Sequence, residues 1–323
     1  MLKLLARRAL QGVAIVWLVA TFTFLLVALA PGDVVDAKYT SQDIPASVRE
    51  HQRHVYCLDR GVVVRYGCWM ASIARGELGY SLPLGRPVAE ALRHALPNTL
   101  LLMGLALAGM LAVGLATALW QARRPGSASD HVIGAVSMFF YAMPDFWFAL
   151  IALFVFSYKL GWLPVTGMMD PVMDPLFSFS ERLGDRLAHL VLPVGTFIIV
   201  GSAGIARYQR AALLDVMSQD FIRTARAKGA SERRVLLHHV LRNALLPLIT
   251  LVGLNLPALL GGAVLIETVF AWPGMGKLTT DAVTNRDYPL LLAAVTVVSA
   301  LVVAGSLLAD LLYAAADPRV RST

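Results

Sequence analysis

The sequence predicts an all-α protein that crosses a membrane several times. Hydrophobic residues make up 57% of the 323 residues, and only 15% of the residues are charged. A soluble protein usually carries roughly a quarter charged residues, and the mean hydropathy here is +0.65. Six largely uncharged runs are also long enough for helices that cross a bilayer, which needs about 20 residues. These values argue against a soluble enzyme, a disordered protein and a disulfide-rich mini-domain.

The six runs predict six transmembrane helices. They lack the alternation of apolar and polar residues that is typical of β-barrel strands. The first run is longer than the hydrophobic part of a signal peptide, which is about 7–15 residues, so we expect it to remain as a span. Asp145 interrupts the third run, and His189 lies in the fourth. The runs cover residues 9–32, 95–122, 131–158, 187–206, 243–266 and 288–309.

Charge predicts how the chain lies in the membrane. Basic residues favour cytoplasmic loops, and a dense basic cluster runs from Arg207 to Arg242. We therefore expect both termini to be cytoplasmic. The predicted regions are a first span (1–32), an external segment (33–94), a core with spans two to six and an internal loop at 207–245 (95–313), and a cytoplasmic tail (314–323).

The internal loop predicts a short helix, a turn and a second helix that leads into a span. Gly229 is a typical residue to follow the end of a helix, and Ser231 is a typical N-cap for the next one. Apolar residues at helical spacing predict the packed faces. They are Phe221, Ile222 and Ala225 before the turn, and Leu236, Leu237, Val240 and Leu241 after it. Such a short helix beside a membrane is a typical docking element.

The same loop resembles a known one. The run DFIRTARAKGASERRVLLHHVLRNALLP (220–247) resembles the coupling loop of permease subunits of ATP-binding cassette importers, especially the dipeptide/oligopeptide/nickel group. Thr224-Ala225-Arg226 stands where the wider family has Glu-Ala-Ala, a departure common in the peptide group. Gly229 stands at the signature glycine, and Leu246-Pro247 at the closing Leu-Pro.

The resemblance covers nearly the whole chain and is closest to the first permease of a pair. Further similar segments are ARGELGYSLPLGRPVAEAL (74–92), MPDFW (143–147), ETVFAWPGMGKL (267–278), NRDYP (285–289) and DPRVR (317–321). The resemblance implies a type I importer permease fold in a bacterial inner membrane. It also implies that the chain itself is not an enzyme and binds no cofactor.

The resemblance further implies partners. They are a paralogous permease, two nucleotide-binding subunits or a fused ATPase that bind ATP and Mg²⁺, and a periplasmic or lipid-anchored substrate-binding protein. The expected cargo is di- or oligopeptides, with nickel or a metal chelate as the alternative. The residues implied in coupling to the nucleotide-binding subunit are Arg223, Thr224, Ala225, Arg226, Ala227, Lys228, Gly229 and Ala230.

Other interpretations of the charged residues stay open. The basic loop could instead be a solvated hairpin attracted to anionic lipid, but without interleaved aromatic residues it does not favour nucleic acid. A self-sufficient secondary transporter would need paired ionisable groups or broken helices near mid-membrane. Asp145 is the candidate for such a pathway-lining group, unless it is a hydrated residue beside Pro144.

Two further motifs concern the loops. Cys57 and Cys68 predict a disulfide in the external segment, with two free thiols as one alternative and a metal site with His51 and His54 as the other. Gly274-Met-Gly-Lys277 lacks the first glycine and the Ser/Thr of a nucleotide-binding P-loop. We therefore expect no ATP site in this chain. Because the disulfide is the favoured interpretation of the two cysteines, we also expect no resident metal.

Overall fold

Helices dominate the chain. The computed structural model describes residues 2–30, 59–245, 248 and 263–316. The chain divides into two compact units, one made of Leu100–Trp272 with Gly305–Thr323 and the other of Leu2–Thr99 with Pro273–Ala304. Each unit is described by itself below.

The helices are numbered here in chain order. They are α1 (Leu2–Leu29), α2 (Val62–Ala74), α3 (Val88–Arg123), α4 (Ala128–Tyr141), α5 (Asp145–Ala152), α6 (Phe179–Met217), α7 (Asp220–Ala227), α8 (Glu232–Arg234), α9 (Met275–Thr284) and α10 (Tyr288–Ala316). Helix α5 continues as a π-helix over Leu153–Lys159, and α8 continues as a π-helix over Val235–Val240. Short additional helical pieces lie at Asp174–Leu176, 241–245 and 263–269. Two-residue strands β1 (Tyr80–Ser81) and β2 (Arg86–Pro87) pair antiparallel, with Tyr80 opposite Pro87.

Four helices in the described ranges are long and apolar enough to cross a membrane. They lie within α1, α3, α6 and α10. Most of the predicted fifth span, at 243–266, lies outside the described residues. The count of six spans and the cytoplasmic position of the termini therefore stay predictions.

The predicted third span is not one straight helix. The structure divides it into α4 and the α5 helix with its π-helical continuation, and the two parts are bent by 98°. Proline explains the break, because the ring of Pro144 disfavours a helical conformation at the residue before it, Met143. Pro144 itself is extended and precedes α5, and its carbonyl accepts the N–H groups of Trp147 and Phe148 at 3.1 Å.

Small residues bring α3 and α6 together in the first unit. A Cβ added to Gly114 would lie 2.8 Å from Ile205 Cβ and 3.0 Å from the carbonyl oxygen of Ser202. A Cβ on Gly201 would lie 2.1 Å from Met110 Sδ. These glycines allow the two helices to approach closely, which is how membrane helices commonly pack.

In the second unit, a side-chain hydrogen bond links the β1–β2 turn to the start of α10. Ser81 Oγ donates a hydrogen bond to the buried carboxylate of Asp287. The other Asp287 oxygen accepts the N–H of Leu290 at 3.3 Å, so Asp287 caps α10. On α1, Phe24 is 1% exposed and stacks on Trp69 of α2 with ring centroids 5.3 Å apart.

An acidic residue stabilises a turn in the loop before α6. Asp170 Oδ1 accepts the N–H groups of Val172 at 2.9 Å and of Met173 at 3.1 Å. Because these bonds favour the ionised form, they lower the pKa of Asp170 below its ordinary value of 3.8.

Candidate functional site

Helix α6 runs past its apolar part and leads into the segment with the predicted coupling residues. We call residues 218–245 the α7–α8 segment. It begins with a two-residue break after Met217, continues through α7 and a turn at Gly229, and returns through α8 and its π-helical continuation. The predicted order of short helix, turn and second helix is therefore what the structure shows.

Helix α7 is held to the rest of the unit by Ile222. Its side chain is 0% exposed and belongs to a buried apolar cluster. The other members of that cluster come from α3, α6 and the return helix: Ala118, Ala122, Leu213, Val216, Val235, Leu236, Val240 and Ala244. Burying an isoleucine contributes about 1.5–3 kcal/mol, so Ile222 is the buried anchor of this eight-residue helix.

The eight predicted coupling residues form an outward surface. Ala225 and Ala230 are half-buried, and the other six are exposed: Arg223, Thr224, Arg226, Ala227, Lys228 and Gly229. Phe221, which the sequence placed on the packed face, is 41% exposed. The exposed surface of α7 is therefore basic and polar, and Ile222 anchors the helix on its buried side.

The turn after α7 has a defined hydrogen-bond pattern. Gly229 has φ +83°, its N–H donates to Arg226 O at 2.9 Å, and the N–H of Ala230 donates to Ala225 O at 3.2 Å. This is the Schellman arrangement, in which a residue with positive φ ends the helix. Glycine adopts that φ without a Cβ clash, so the predicted role of Gly229 at the end of the helix is confirmed.

An ion pair spans the same turn. Arg226 donates from Nε to Glu232 Oε1 at 2.8 Å and from Nη2 to Oε2 at 3.2 Å. This two-pronged geometry links the start of α8 to α7 across the turn, on a side where the Glu232 side chain is 71% exposed. The prediction that Ser231 caps α8 is correct for its extended backbone, but its side chain accepts no capping hydrogen bond.

Gln209 joins α6 to the far end of the α7–α8 segment. Its side chain is 0% exposed, and Nε2 donates to Ala244 O at 2.8 Å. A cavity of about 290 Å³ lies under the turn, lined by Ala122, Arg123, Met217, Arg226, Glu232, Arg233, Val235, Leu236 and Val240. The α7–α8 segment is thus held to α6 at its far end and has a cavity beside its turn.

The other predicted site residues lie elsewhere. Asp145 begins α5, directly after the break between α4 and α5, and is half-buried. Its Oδ1 accepts the N–H of Phe146 at 2.8 Å. Cys68 lies half-buried on α2, whereas Cys57 lies outside the described residues, so the disulfide stays a prediction. Gly274 precedes α9, and Thr99 Oγ1 accepts the N–H of Met275 at 2.7 Å there.

Sequence reasoning missed a buried charge network near the same end of α6. Asp130 is 5% exposed, and Arg210 binds it with Nε–Oδ1 and Nη2–Oδ2 distances of 2.8 and 2.6 Å. A sequence signal for this pair existed, because Asp130 directly precedes the apolar run 131–158 and Arg210 closely follows the run 187–206. His189 and Glu267 are two further buried titratable residues, 8% and 0% exposed.

Relatives among known proteins match the whole chain. It is 40% identical over 319 residues to the oligopeptide transport system permease protein AppB of Bacillus subtilis (strain 168), covering 97% of this chain and 98% of the relative. It is 38% identical over 336 residues to the di/tripeptide transport system permease protein DppB of Pseudomonas aeruginosa (strain UCBPP-PA14), covering 99% of both chains.

A solved structure shares the fold. A chain of the structure described as "Inward facing conformations of the MetNI methionine ABC transporter: CY5 native crystal form" aligns with a TM-score of 0.55 and 18% sequence identity. The alignment covers 73% of this chain and 99% of that one. The predicted class, a helical membrane protein with the fold of a type I importer permease, is confirmed.

Two family models cover almost the entire sequence. Residues 1–103 match the N-terminal component of binding-protein-dependent transport system membrane proteins. Residues 111–322 match the binding-protein-dependent transport system inner membrane component. With full-length relatives at 38–40% identity, these matches show that the chain belongs to the family of binding-protein-dependent transport system inner membrane components.

Proposed function

We propose that this chain is a permease subunit that forms half of the translocation pathway of an ATP-driven importer of di- and oligopeptides. The relatives AppB and DppB, named for oligopeptide and di/tripeptide transport, support the peptide cargo. The α7–α8 segment carries the proposal, because it presents an exposed basic helix on a buried anchor. Such a helix suits a groove on a separate ATPase subunit.

The proposed assembly places each task on a different chain. A paralogous permease supplies the other half of the pathway in the bacterial inner membrane. An external substrate-binding protein delivers the peptide, and two nucleotide-binding subunits, or one fused ATPase, bind ATP and Mg²⁺. This chain holds no cofactor in the proposal.

The proposed mechanism is alternating access. ATP binding closes the nucleotide-binding subunits, and their movement displaces α7. Ile222 and the Arg226–Glu232 ion pair join α7 to α6 and to the return helix, so the displacement reaches the spans without the turn deforming first. Hydrolysis and product release restore the starting arrangement.

The substitution Gly229→Glu tests this coupling role. A side chain at φ +83° costs about 1–2 kcal/mol, and the new carboxylate changes the charge of the docking surface. We expect the complex to reach the membrane and to hydrolyse ATP, while peptide uptake in proteoliposomes falls by about tenfold, the factor that a lost coupling free energy of about 1.4 kcal/mol gives. Uptake and ATP hydrolysis are measured on the same preparation.

Gly76→Glu is the matched control. Gly76 follows α2 with φ +77° in the same hydrogen-bond pattern, since its N–H donates to Ile73 O and the N–H of Glu77 donates to Ser72 O. The control therefore carries the same backbone strain and the same new charge on another helix. Equal peptide uptake by the two variants would contradict a coupling role for the α7–α8 segment.

A further inference from the structure

A cavity of about 420 Å³ lies between α4 and α6 in the first unit. We call it the α4–α6 cavity. It reaches from Asp130 to Tyr141 along α4, a rise of about 16 Å at 1.5 Å per residue. Its polar lining includes Gln121, His131, Ser137, Tyr141, Arg207 and Arg210. The coupling role proposed above uses none of these side chains.

One of the two arginines in the cavity is already neutralised. Arg210 forms the paired hydrogen bonds to Asp130 described above, and Gln121 Nε2 and the N–H of Gly126 donate to the same carboxylate at 3.0 and 2.9 Å. The Asp130 side chain is 5% exposed and that of Arg210 is 31% exposed. This pair ties together the ends of three helices and adds no net charge to the cavity.

Arg207 supplies the uncompensated charge. Among the residues that the structure describes, the hydrogen-bond contact of its guanidinium is Met138 Sδ at 3.9 Å, a weak neutral acceptor. With Asp130 and Arg210 cancelling, the side chains that line the cavity carry a net charge of +1 with histidine neutral. A guanidinium in this position favours a phosphate or carboxylate, which accepts paired hydrogen bonds from it.

The position of Arg207 indicates which kind of anion the cavity binds. It is the first residue after the uncharged run 187–206 of α6, so it lies where the apolar part of a span ends. Arginine at this level extends its charged group to the lipid headgroups while its stem stays among apolar groups. A ligand there has a negative group at the boundary and hydrocarbon beside the span.

The surroundings of the cavity are apolar on the membrane side. A second cavity of about 310 Å³ shares Ser137 and Ala203 with the first. Its lining is mostly aliphatic or aromatic and includes Val113, Val132, Val136, Phe140, Ile198 and Ile199. Basic pockets between membrane helices bind anionic lipid headgroups on the cytoplasmic side. The predicted orientation of the chain places Arg207 on that side.

We propose that the α4–α6 cavity binds the phosphodiester headgroup of an anionic phospholipid. Arg207 contacts the phosphate, and the acyl chains follow the apolar faces of α4 and α6. The ligand is thus a structural lipid beside the base of α6, ten residues before the end of that helix at Met217. A free phosphate shares the headgroup chemistry but gains nothing from the apolar surroundings.

Lipid retention by the complete transporter tests the proposal. The complex is purified in mild detergent, mixed with equal amounts of phosphatidylglycerol and phosphatidylcholine, and analysed by native mass spectrometry. We expect preferential retention of phosphatidylglycerol. Arg207→Gln lowers that retention by about fivefold, the factor that one arginine beside an anionic membrane surface contributes.

Arg124→Gln is the matched control, because Arg124 is an exposed arginine beyond the end of α3 and outside the lining of the cavity. It retains phosphatidylglycerol as the wild type does. Arg207→Lys keeps the charge and retains most of the lipid, which separates loss of charge from loss of folding. Equal phosphatidylglycerol retention by the wild type and Arg207→Gln overturns the proposal.

Inorganic phosphate separates the two sources of the anion. Millimolar phosphate is added to the lipid-free complex, and thermal stability is measured for the wild type and Arg207→Gln. No shift in the wild type supports a lipid ligand. A shift that Arg207→Gln abolishes, without any preference for phosphatidylglycerol over phosphatidylcholine, overturns it in favour of a soluble phosphate.

Discussion

At the scale of single residues, Asp130 shows how a charge is accommodated beside a membrane. Its carboxylate accepts hydrogen bonds from Arg210, Gln121 and the N–H of Gly126. Each oxygen thus has donors, and the opposite charge lies at 2.6 Å. A buried carboxylate is tolerated when its hydrogen bonds are complete and its charge is paired. The network therefore fixes the ends of α3, α4 and α6 relative to one another.

We expect Asp130→Asn to destabilise the protein by about 3 kcal/mol, because it leaves the partly buried charge of Arg210 without its partner. The measurement is the free energy of unfolding in detergent. Glu77→Gln is the control, since the Arg75–Glu77 pair is 62% exposed on both sides and its loss costs about 0–1 kcal/mol. Equal destabilisation by both substitutions would show that the Asp130 network is not a stabilising element.

At the scale of elements, the α7–α8 segment shows how far local sequence signals reach. The helix, the turn and Gly229 were predictable, because a positive φ and the helix-ending hydrogen bonds favour glycine at one position. The exposure of Leu237 was not predictable: this residue belongs to the predicted apolar stripe but is 40% exposed. The return helix is a π-helix over Val235–Val240. A π-helical turn holds one residue more than an α-helical turn, so it shifts the apolar stripe around the helix. No local sequence signal predicts this shift.

The contact between α3 and α6 gives an element-scale prediction. Gly114→Ala places a methyl group 3.0 Å from the backbone oxygen of Ser202, which cannot rotate away. We expect a loss of about 1–3 kcal/mol of unfolding free energy from overpacking. At Gly104 on the same helix, the described residues outside its own turn place no atom within 4 Å of the new methyl group, so Gly104→Ala gains up to about 1 kcal/mol from helix propensity.

Thermal unfolding of the two alanine variants in the same detergent measures this difference. Opposite signs of the change in stability support close helix contact at Gly114. A Gly114→Ala variant as stable as Gly104→Ala would mean that α3 and α6 lie farther apart than the structure shows.

At the scale of the whole molecule, composition and long apolar runs made the membrane class and the fold predictable. The runs at 9–32, 95–122 and 187–206 correspond to parts of α1, α3 and α6. The prediction of a single helix for the third run was wrong. The run is apolar throughout, and composition alone does not show that the chain changes direction by 98° at Pro144. The buried Asp130–Arg210 pair was also missed, since pairing between residues 80 positions apart depends on how the helices assemble.

The proposed assembly gives a prediction for the intact protein. A tagged wild-type chain, purified from native membranes in mild detergent, should carry a second permease and P-loop ATPase subunits. Mass spectrometry of the ligand on a co-purified binding protein should identify a peptide. We expect Gly229→Glu to recover both the second permease and the ATPase subunits, because this substitution uncouples ATP hydrolysis from transport in an assembled complex.

Two results of that purification would contradict the proposal. A metal chelate on the binding protein would replace the peptide as cargo. Recovery of the chain as a homo-oligomer alone, also after crosslinking, would leave α7 without an ATPase partner and favour a self-sufficient transporter.

The hydrogen bond between Gln209 and Ala244 gives the α7–α8 segment a second attachment to α6. It joins α6 to the end of the return helix, while Arg226 and Glu232 join α7 to α8 across the turn. The segment is therefore a closed loop of contacts rather than a hairpin held at one end. If the proposed coupling role is correct, a push on α7 would act on α6 as a lever with two points of attachment.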